Sequence, residues 1–285
     1  MSMNMQKIRV GDFMIGAGEP LCLIAGPCVL ENSDLNMTIA AKAAEVASSS
    51  KVNYIFKASF DKANRTSINS TRGPGLFDGL KILADIRHEL NVPVLTDVHE
   101  VHQVERTAAV VDILQIPAFL CRQTDLLLEV GRTGKVVNVK KGQFMSPDMM
   151  QHAVDKIRST GNNNILLTER GTFFGYADLV VDMRSLPRMR AFGLPVIYDA
   201  GHSLQRPGGA GTFSGGERKY IPHLARGAVA VGCDGIFLEI HPDPDKSPSD
   251  SKTIWPLDSF ENFVKEIVAI HTCYQKFNSC PSDYP

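Results

Sequence analysis

The sequence predicts a (β/α)8 barrel, and three observations carry that prediction. Eight short apolar runs recur along 285 residues, the gaps between them leave room for a loop and a helix, and polar residues gather at the C-terminal ends of the runs. The runs are LCLIAG (21–26), YIFKAS (54–59), PVLTDV (93–98), ILQIP (113–117), VVNVKK (136–141), ILLTER (165–170), PVIYDA (195–200) and GIFLEI (235–240). None exceeds six residues and each is apolar on both faces, as a parallel strand buried on both sides must be. Their starts lie 20 to 40 residues apart, and the gaps hold amphipathic stretches such as 34–50, 77–90 and 146–161, with a last one over 259–277. A doubly wound sheet is the alternative, but it normally carries a glycine-rich dinucleotide turn after its first strand, and AGPCVLE lacks that pattern.

Ahead of the first strand, residues 8–18 alternate about Gly11-Asp12, which predicts a small hairpin closing the base of the barrel. Nothing marks a domain boundary or a repeat, so 1–285 reads as a single domain with a frayed tail over 278–285. The balance of 30 Lys and Arg against 31 Asp and Glu gives a net charge of −1, which argues against a nucleic-acid partner. No apolar run approaches the ~20 residues of a membrane span, and the N-terminus has no signal-peptide core. Six cysteines without a CxxC pair read as reduced thiols, and the cytoplasm is the expected compartment.

The strand ends carry the chemistry. Lys57, Lys62, Arg65, Lys140 and Arg170 come from three strand ends that a barrel brings around one mouth. Cations crowded together make sense where a polyanion neutralises them, although solvated loop charges would give the same sequence. Cys28 follows the first strand and His202 the seventh, Glu239 lies in the eighth, and Asp250 is eleven residues further in the following loop. A thiolate, an imidazole and two carboxylates suit Zn²⁺, Fe²⁺ or Mn²⁺; a packed thiol beside unrelated polar groups is the alternative. The stretch 206–216 has five glycines in eleven residues but no Lys-Ser/Thr pair, so it is not a nucleotide P-loop. It reads as a lid or as a plain flexible loop.

At these positions KASFDKANRTS (57–67), RGPGL (72–76), TDVHE (96–100), QIPAFLCRQTDLL (115–127), NVKKGQF (138–144), ERGTFFGY (169–176), VAVGCDGIFLEIHPDPD (229–245) and SDSKTIWPL (249–257) occur in one order. In them the chain resembles the 3-deoxy-D-manno-octulosonate-8-phosphate synthases, over residues 20 to 270. The related 3-deoxy-D-arabino-heptulosonate-7-phosphate synthases, the alternative reading, typically carry Lys-Pro-Arg-Thr/Ser where this chain has Lys62-Ala63-Asn64-Arg65. A non-catalytic sugar-phosphate binder is a third reading.

The resemblance implies condensation of phosphoenolpyruvate with D-arabinose 5-phosphate and water, in the pathway to lipopolysaccharide, by a homotetramer with no organic cofactor. It implies that Lys57, Ser59, Lys62, Gln115, Lys140, Arg170 and His202 surround phosphoenolpyruvate. Asn64, Arg65 and Thr66 would hold the aldose phosphate, with Asp97 near its hydroxyls. Phe119 would lie in the same site, and Arg122 would come from a neighbouring subunit. Lys62, Asp97, Lys140 and His202 are the implied catalytic set. The family resembles itself in two variants, with Asn and no metal or with Cys and a metal. Cys28, and Ser-Asp-Ser around Asp250 in place of Cys-Asp-Gly, match the second, which implies a divalent ion (Zn, Fe, Mn or Co) on Cys28, His202, Glu239 and Asp250. Gly201 stands where many relatives have Thr, from which a slight backbone adjustment beside His202 is expected.

Overall fold

Eight parallel strands close into a barrel in the computed structural model, which describes residues 5–65, 67–175, 178–206 and 215–278. Strands and helices alternate as follows: β1 Cys22–Gly26, α1 Ser33–Ser50, β2 Asn53–Lys57, α2 Leu76–Leu90, β3 Val94–Asp97, α3 Val101–Ala108, β4 Ile113–Ile116 and α4 Thr124–Arg132. The second half continues with β5 Val136–Lys140, α5 Gln151–Arg158, β6 Ile165–Glu169, α6 Ser185–Arg190, β7 Val196–Asp199, α7 Ile221–Val231, β8 Gly235–His241 and α8 Phe260–Asn278. Neighbours pair in chain order, and β8 closes the circle on β1 and β7. Every barrel strand falls within one or two residues of its expected bounds. The expected helix over 146–161 is shorter: a 3-10 turn at Asp148–Met150 precedes α5.

Local chemistry explains the element ends. Asn32 caps α1 by accepting the Leu35 N–H at 2.9 Å. Glu100 and Gln103 form a reciprocal capping box at α3. Gly232 ends α7 at φ +109°, a backbone region that suits glycine.

The barrel interior changes character along its axis. Cys22, Ile24, Ile55, Leu95, Ile113, Val136, Leu166, Ile197 and Phe237 point inward at the base and form one apolar cluster. Ile8, Val10 and Ile15 join it from a hairpin whose strands, Ile8–Val10 and Phe13–Ile15, pair antiparallel below the barrel. Side chains alternate along a strand, so the same face returns two residues on. There the residues are Gly26, Lys57, Asp97, Gln115, Asn138, Thr168, Asp199 and Glu239, and the side chains among them are all buried. Gly26 is required at its place: a Cβ would stand 2.1 Å from the Lys57 carbonyl oxygen. The outer strand faces pack against the helices as a second, larger apolar cluster.

Two loop features also shape the mouth. Thr172–Gly175 and Asp178–Val180 pair antiparallel after β6, and Trp255–Pro256 runs beside the end of β8. Of the glycine-rich stretch 206–216, residues 207–214 lie outside the described residues; Gln205–Arg206 pairs with Gly215–Gly216 at its two ends. Thr66 and the tail 279–285 also lie outside them.

Candidate active site

A cavity of about 520 Å³ opens at the C-terminal ends of the strands. Twelve of the expected site residues line it: Lys57, Lys62, Asn64, Arg65, Asp97, Gln115, Phe119, Lys140, Arg170, His202, Glu239 and Asp250. Phe237, a member of the apolar base cluster, packs against two of its lysines. The Lys140 ammonium stands 3.5 Å from that ring's centroid and the Lys57 ammonium 5.4 Å, so the quadrupole of one phenyl ring faces two cations.

The crowded cations are partly neutralised by the protein itself. Lys57 Nζ donates to Glu239 Oε1 at 2.7 Å and to the Cys28 carbonyl at 3.0 Å. Lys140 pairs with Asp199. Arg65 donates to the Pro248 carbonyl at 2.6 Å and to Ser249 Oγ at 2.9 Å, which ties the loop after β2 to the loop after β8. Arg170 differs. One guanidinium nitrogen reaches Gln205, while Nη1 is buried without a hydrogen-bond partner and lies in the wall of the cavity. A buried donor left unpaired costs free energy unless a ligand takes it up.

Burial penalises charge throughout the site, and neighbours decide which groups keep it. Burial lowers the pKa of Lys140 and Arg170 despite their carboxylate neighbours. It also opposes charge on Asp97 and Glu239. There Lys57 and Lys62, with His202 beside Glu239, more than offset it and hold both carboxyls below the usual carboxylate range. Lys62 is likewise desolvated, yet Cys28, Glu239, Asp97 and Asp250 push its pKa up.

Cys28, Glu239 and Asp250 each bring one ligand atom within 4.8 Å of the others. Cys28 Sγ donates to Asp250 Oδ2 at 3.2 Å, and burial together with Glu239 pushes the thiol well above its ordinary pKa. Asp250 reaches this position with φ +51°, a conformation that Asp tolerates better than most residues. His202, the fourth expected ligand, stands outside this trio: Nε2 is 3.6 Å from Glu239 Oε2, and Nδ1 donates to Asp199 Oδ2 at 2.8 Å. Glu239 Oε2 is itself buried without a hydrogen-bond partner. One thiol and two carboxylates, with an unpartnered carboxylate oxygen among them, fit a borderline-soft divalent cation.

Three expected residues stand apart from the cavity wall. Ser59 lies behind it and donates to Asp97 Oδ2 at 2.5 Å. Cys28 is fully buried beneath it. Arg122 is exposed and does not line the cavity; its carbonyl accepts a bond from Lys156 at 3.1 Å. Gly201 has a local reason: a Cβ there would stand 2.8 Å from the Thr253 carbonyl oxygen, so glycine lets the loop after β8 approach His202.

Sequence reasoning missed several groups. Asp199 pairs with both Lys140 and His202, and its inward parity with Ile197 was the available signal. Gln205 joins Arg170 to Asp250 Oδ1, the latter at 2.6 Å, and no pattern in the sequence marks it. His99 and Gln143 line the cavity with a buried polar atom each lacking a partner.

The chain matches the DAHP synthetase I family over residues 3–275. It is 57% identical over 263 residues to the 2-dehydro-3-deoxyphosphooctonate aldolase of Syntrophotalea carbinolica, covering 92% of this chain and 95% of that protein. The protein of the same name from Citrifermentans bemidjiense is 54% identical over 265 residues, 93% of this chain and 97% of its own. That from Xanthomonas axonopodis pv. citri is 53% identical over 269 residues, 94% and 98% respectively. The family description names the heptulosonate branch, whereas these near relatives carry the octonate name. The chain belongs to the DAHP synthetase I family, and its relatives at more than half identity are 2-dehydro-3-deoxyphosphooctonate aldolases.

Proposed function

We propose that the protein condenses phosphoenolpyruvate with D-arabinose 5-phosphate and water to give 3-deoxy-D-manno-octulosonate 8-phosphate and inorganic phosphate, on the pathway to lipopolysaccharide. The observation that carries this reading is the mouth itself, where Lys57, Lys62, Arg65, Lys140 and Arg170 line one cavity in a chain whose near relatives bear the octonate name. The heptulosonate reaction is not favoured, in keeping with Lys62-Ala63-Asn64-Arg65 in the loop after β2.

C3 of the enol forms a bond to the aldehyde carbon, water adds at C2, and the C2–O bond then breaks to release phosphate. Lys140 and Arg170 hold the anion of phosphoenolpyruvate over Phe237, with Lys57 and Lys62 beside them. Fixed cations stabilise the charge that moves onto phosphate as that bond breaks. Asp97, kept ionised by Lys57 and Lys62, accepts hydroxyl hydrogens of the aldose, while Asn64, Arg65 and Thr66 take its phosphate end. Gln115 and Ser59 orient Asp97. Holding both substrates in one cavity replaces a bimolecular encounter by a near-unimolecular step.

A divalent ion held by Cys28, His202, Glu239 and Asp250 would act as a Lewis acid or orient a substrate oxygen. Activity then falls on chelation and returns with Mn²⁺, Co²⁺ or Zn²⁺; a chelated, metal-free sample at full turnover refutes the metal. Arg122, exposed in the single chain, is assigned to a neighbouring active site of a homotetramer. Arg122→Ala should raise KM for the aldose phosphate about tenfold, as loss of one charge-assisted phosphate contact predicts. The deciding experiment measures phosphate release from phosphoenolpyruvate with each aldose. Arabinose 5-phosphate should be used at least about tenfold more efficiently than erythrose 4-phosphate, a difference of roughly 1.4 kcal/mol. Equal or reversed efficiencies overturn the assignment.

A further inference from the structure

Four side chains on adjacent strands form a single hydrogen-bonded row across the barrel interior. Thr168 Oγ1 on β6 donates to Asn138 Oδ1 on β5 at 2.7 Å, and Asn138 Nδ2 donates to Gln115 Oε1 on β4 at 2.8 Å. Gln115 Nε2 donates to Asp97 Oδ1 on β3, and Ser59, just beyond β2, donates to the other carboxylate oxygen. Gln115 and Asp97 line the cavity; Thr168 and Asn138 are fully buried and do not.

Only one orientation of this row is consistent. An ionised carboxylate only accepts, so Gln115 must turn its NH₂ toward Asp97 and its oxygen toward Asn138. Asn138 must then turn its NH₂ toward Gln115 and its oxygen toward Thr168, and the Thr168 hydroxyl ends the row as the required donor. We propose that Thr168 and Asn138 are positioning residues of the reaction: they fix the amide orientation of Gln115 and, through it, the carboxylate of Asp97. The inference rests on the proposed function, since it concerns residues assigned there to the substrates.

Removing the hydroxyl takes the terminal donor from the row. The buried Asn138 oxygen is left without a donor, and such orphaning is costly. Turning Asn138 brings no relief, since its oxygen then faces the oxygen of Gln115. If Gln115 turns in response, it offers an acceptor to an acceptor at Asp97. A row with its end unpinned holds the Gln115 amide and the Asp97 carboxylate less firmly at the cavity wall, although no substituted atom touches a substrate. Site geometry is sensitive to small displacements of this kind.

The test compares Thr168→Val, Thr168→Ala and Thr168→Ser, with KM for phosphoenolpyruvate and for arabinose 5-phosphate as the readout. Partial unfolding lowers the apparent kcat but leaves KM of the remaining folded enzyme where it was, so KM separates positioning from stability. Thr168→Val and Thr168→Ala should each raise KM for at least one substrate threefold or more, whereas Thr168→Ser, which keeps the hydroxyl, should stay below threefold. A rise below threefold in either hydroxyl-free variant overturns the inference, and so does a rise of threefold or more in Thr168→Ser. Wild-type protein that fails to turn over this substrate pair refutes the proposed function instead, so the two failures are distinguishable.

Discussion

The base and the mouth of this barrel are built on the same eight strands and the same inward faces, two residues apart, yet they do opposite work. At the base, Ile24, Ile55, Leu95, Ile113, Leu166 and Ile197 meet the hairpin residues Ile8, Val10 and Ile15 in an apolar plug. One pleat higher, the same faces present Lys57, Asp97, Gln115, Thr168 and Asp199. The base removes apolar surface from water and stabilises the fold. The mouth buries charge, which opposes folding unless each charge is paired. Phe237 separates the two, packed among the apolar side chains below and facing Lys57 and Lys140 above. The alternation of a strand lets a packed core and a polar site share one element without a second layer.

The sharpest way to test this division is to remove a mouth charge that the protein does not fully use. Arg170 is 4% exposed, with Nη1 unpartnered. Arg170→Met should lower kcat/KM by roughly a thousandfold, about 4 kcal/mol, as losses of a preorganised charge-stabilising group do. Its melting temperature should hold or rise, because a desolvated, half-satisfied cation is gone. Activity assays and thermal melts on one sample check both parts. A variant that loses stability as steeply as activity would show that the mouth helps hold the barrel together.

The complementary change is Ile15→Ala in the hairpin. Ile15 is fully buried in the base cluster, and truncating such a side chain costs about 2–5 kcal/mol. The expected result is a lower denaturant midpoint with KM for both substrates unchanged in the folded protein. A change in KM would mean that base packing reaches the mouth through Phe237.

How legible was this division in the sequence? The strands were plain, because runs such as LCLIAG and GIFLEI are apolar on both faces and leave few other ways to fold. Lys57, Lys140 and Glu239 stood out because charge at the end of such a run demands an explanation. Asp199 shares the inward parity of Ile197, but nothing else in the sequence sets it apart from the neighbouring His202. Gln205 and the Thr168–Asn138 row could not be read. Their meaning lies in hydrogen bonds between strands whose lateral register the sequence does not state. The pairing of Lys57 with Glu239 was hidden for the same reason, since 182 positions separate the two residues. The cations therefore looked barer in the sequence than they are in the fold.

The smallest expected effect comes from a charge buried at the base. Asp234 precedes β8, accepts the Val196 N–H at 2.8 Å and pairs with Arg190 at 3.0 Å, joining the starts of β7 and β8 to α6. Asp112 does the same before β4, with Val94 and Arg87, but from a more exposed position. Burial pushes the Asp234 carboxyl from its ordinary 3.8 up to about 6, against the pull of Arg190. A raised folded-state pKa means that the folded protein binds more protons than the unfolded chain between those two values. The stability linked to this group is therefore fully present below pH 3.8 and is lost as pH rises through 6. The mouth carboxyls Asp97, Asp199 and Glu239 have depressed values and the opposite sign. What they contribute is lost as pH falls below their ordinary values, 3.8 for the two aspartates and 4.5 for Glu239, so the two windows meet only below pH 4.5. Asp234→Asn removes the titration. Relative to this variant, wild-type protein should lose stability between pH 4.5 and 6.5 at up to about 1 kcal/mol per pH unit, with a constant difference above pH 7. Denaturant midpoints of both proteins across that range check it. Parallel curves would mean that Asp234 stays ionised with Arg190 throughout, and that the base tolerates buried charge as well as the mouth does.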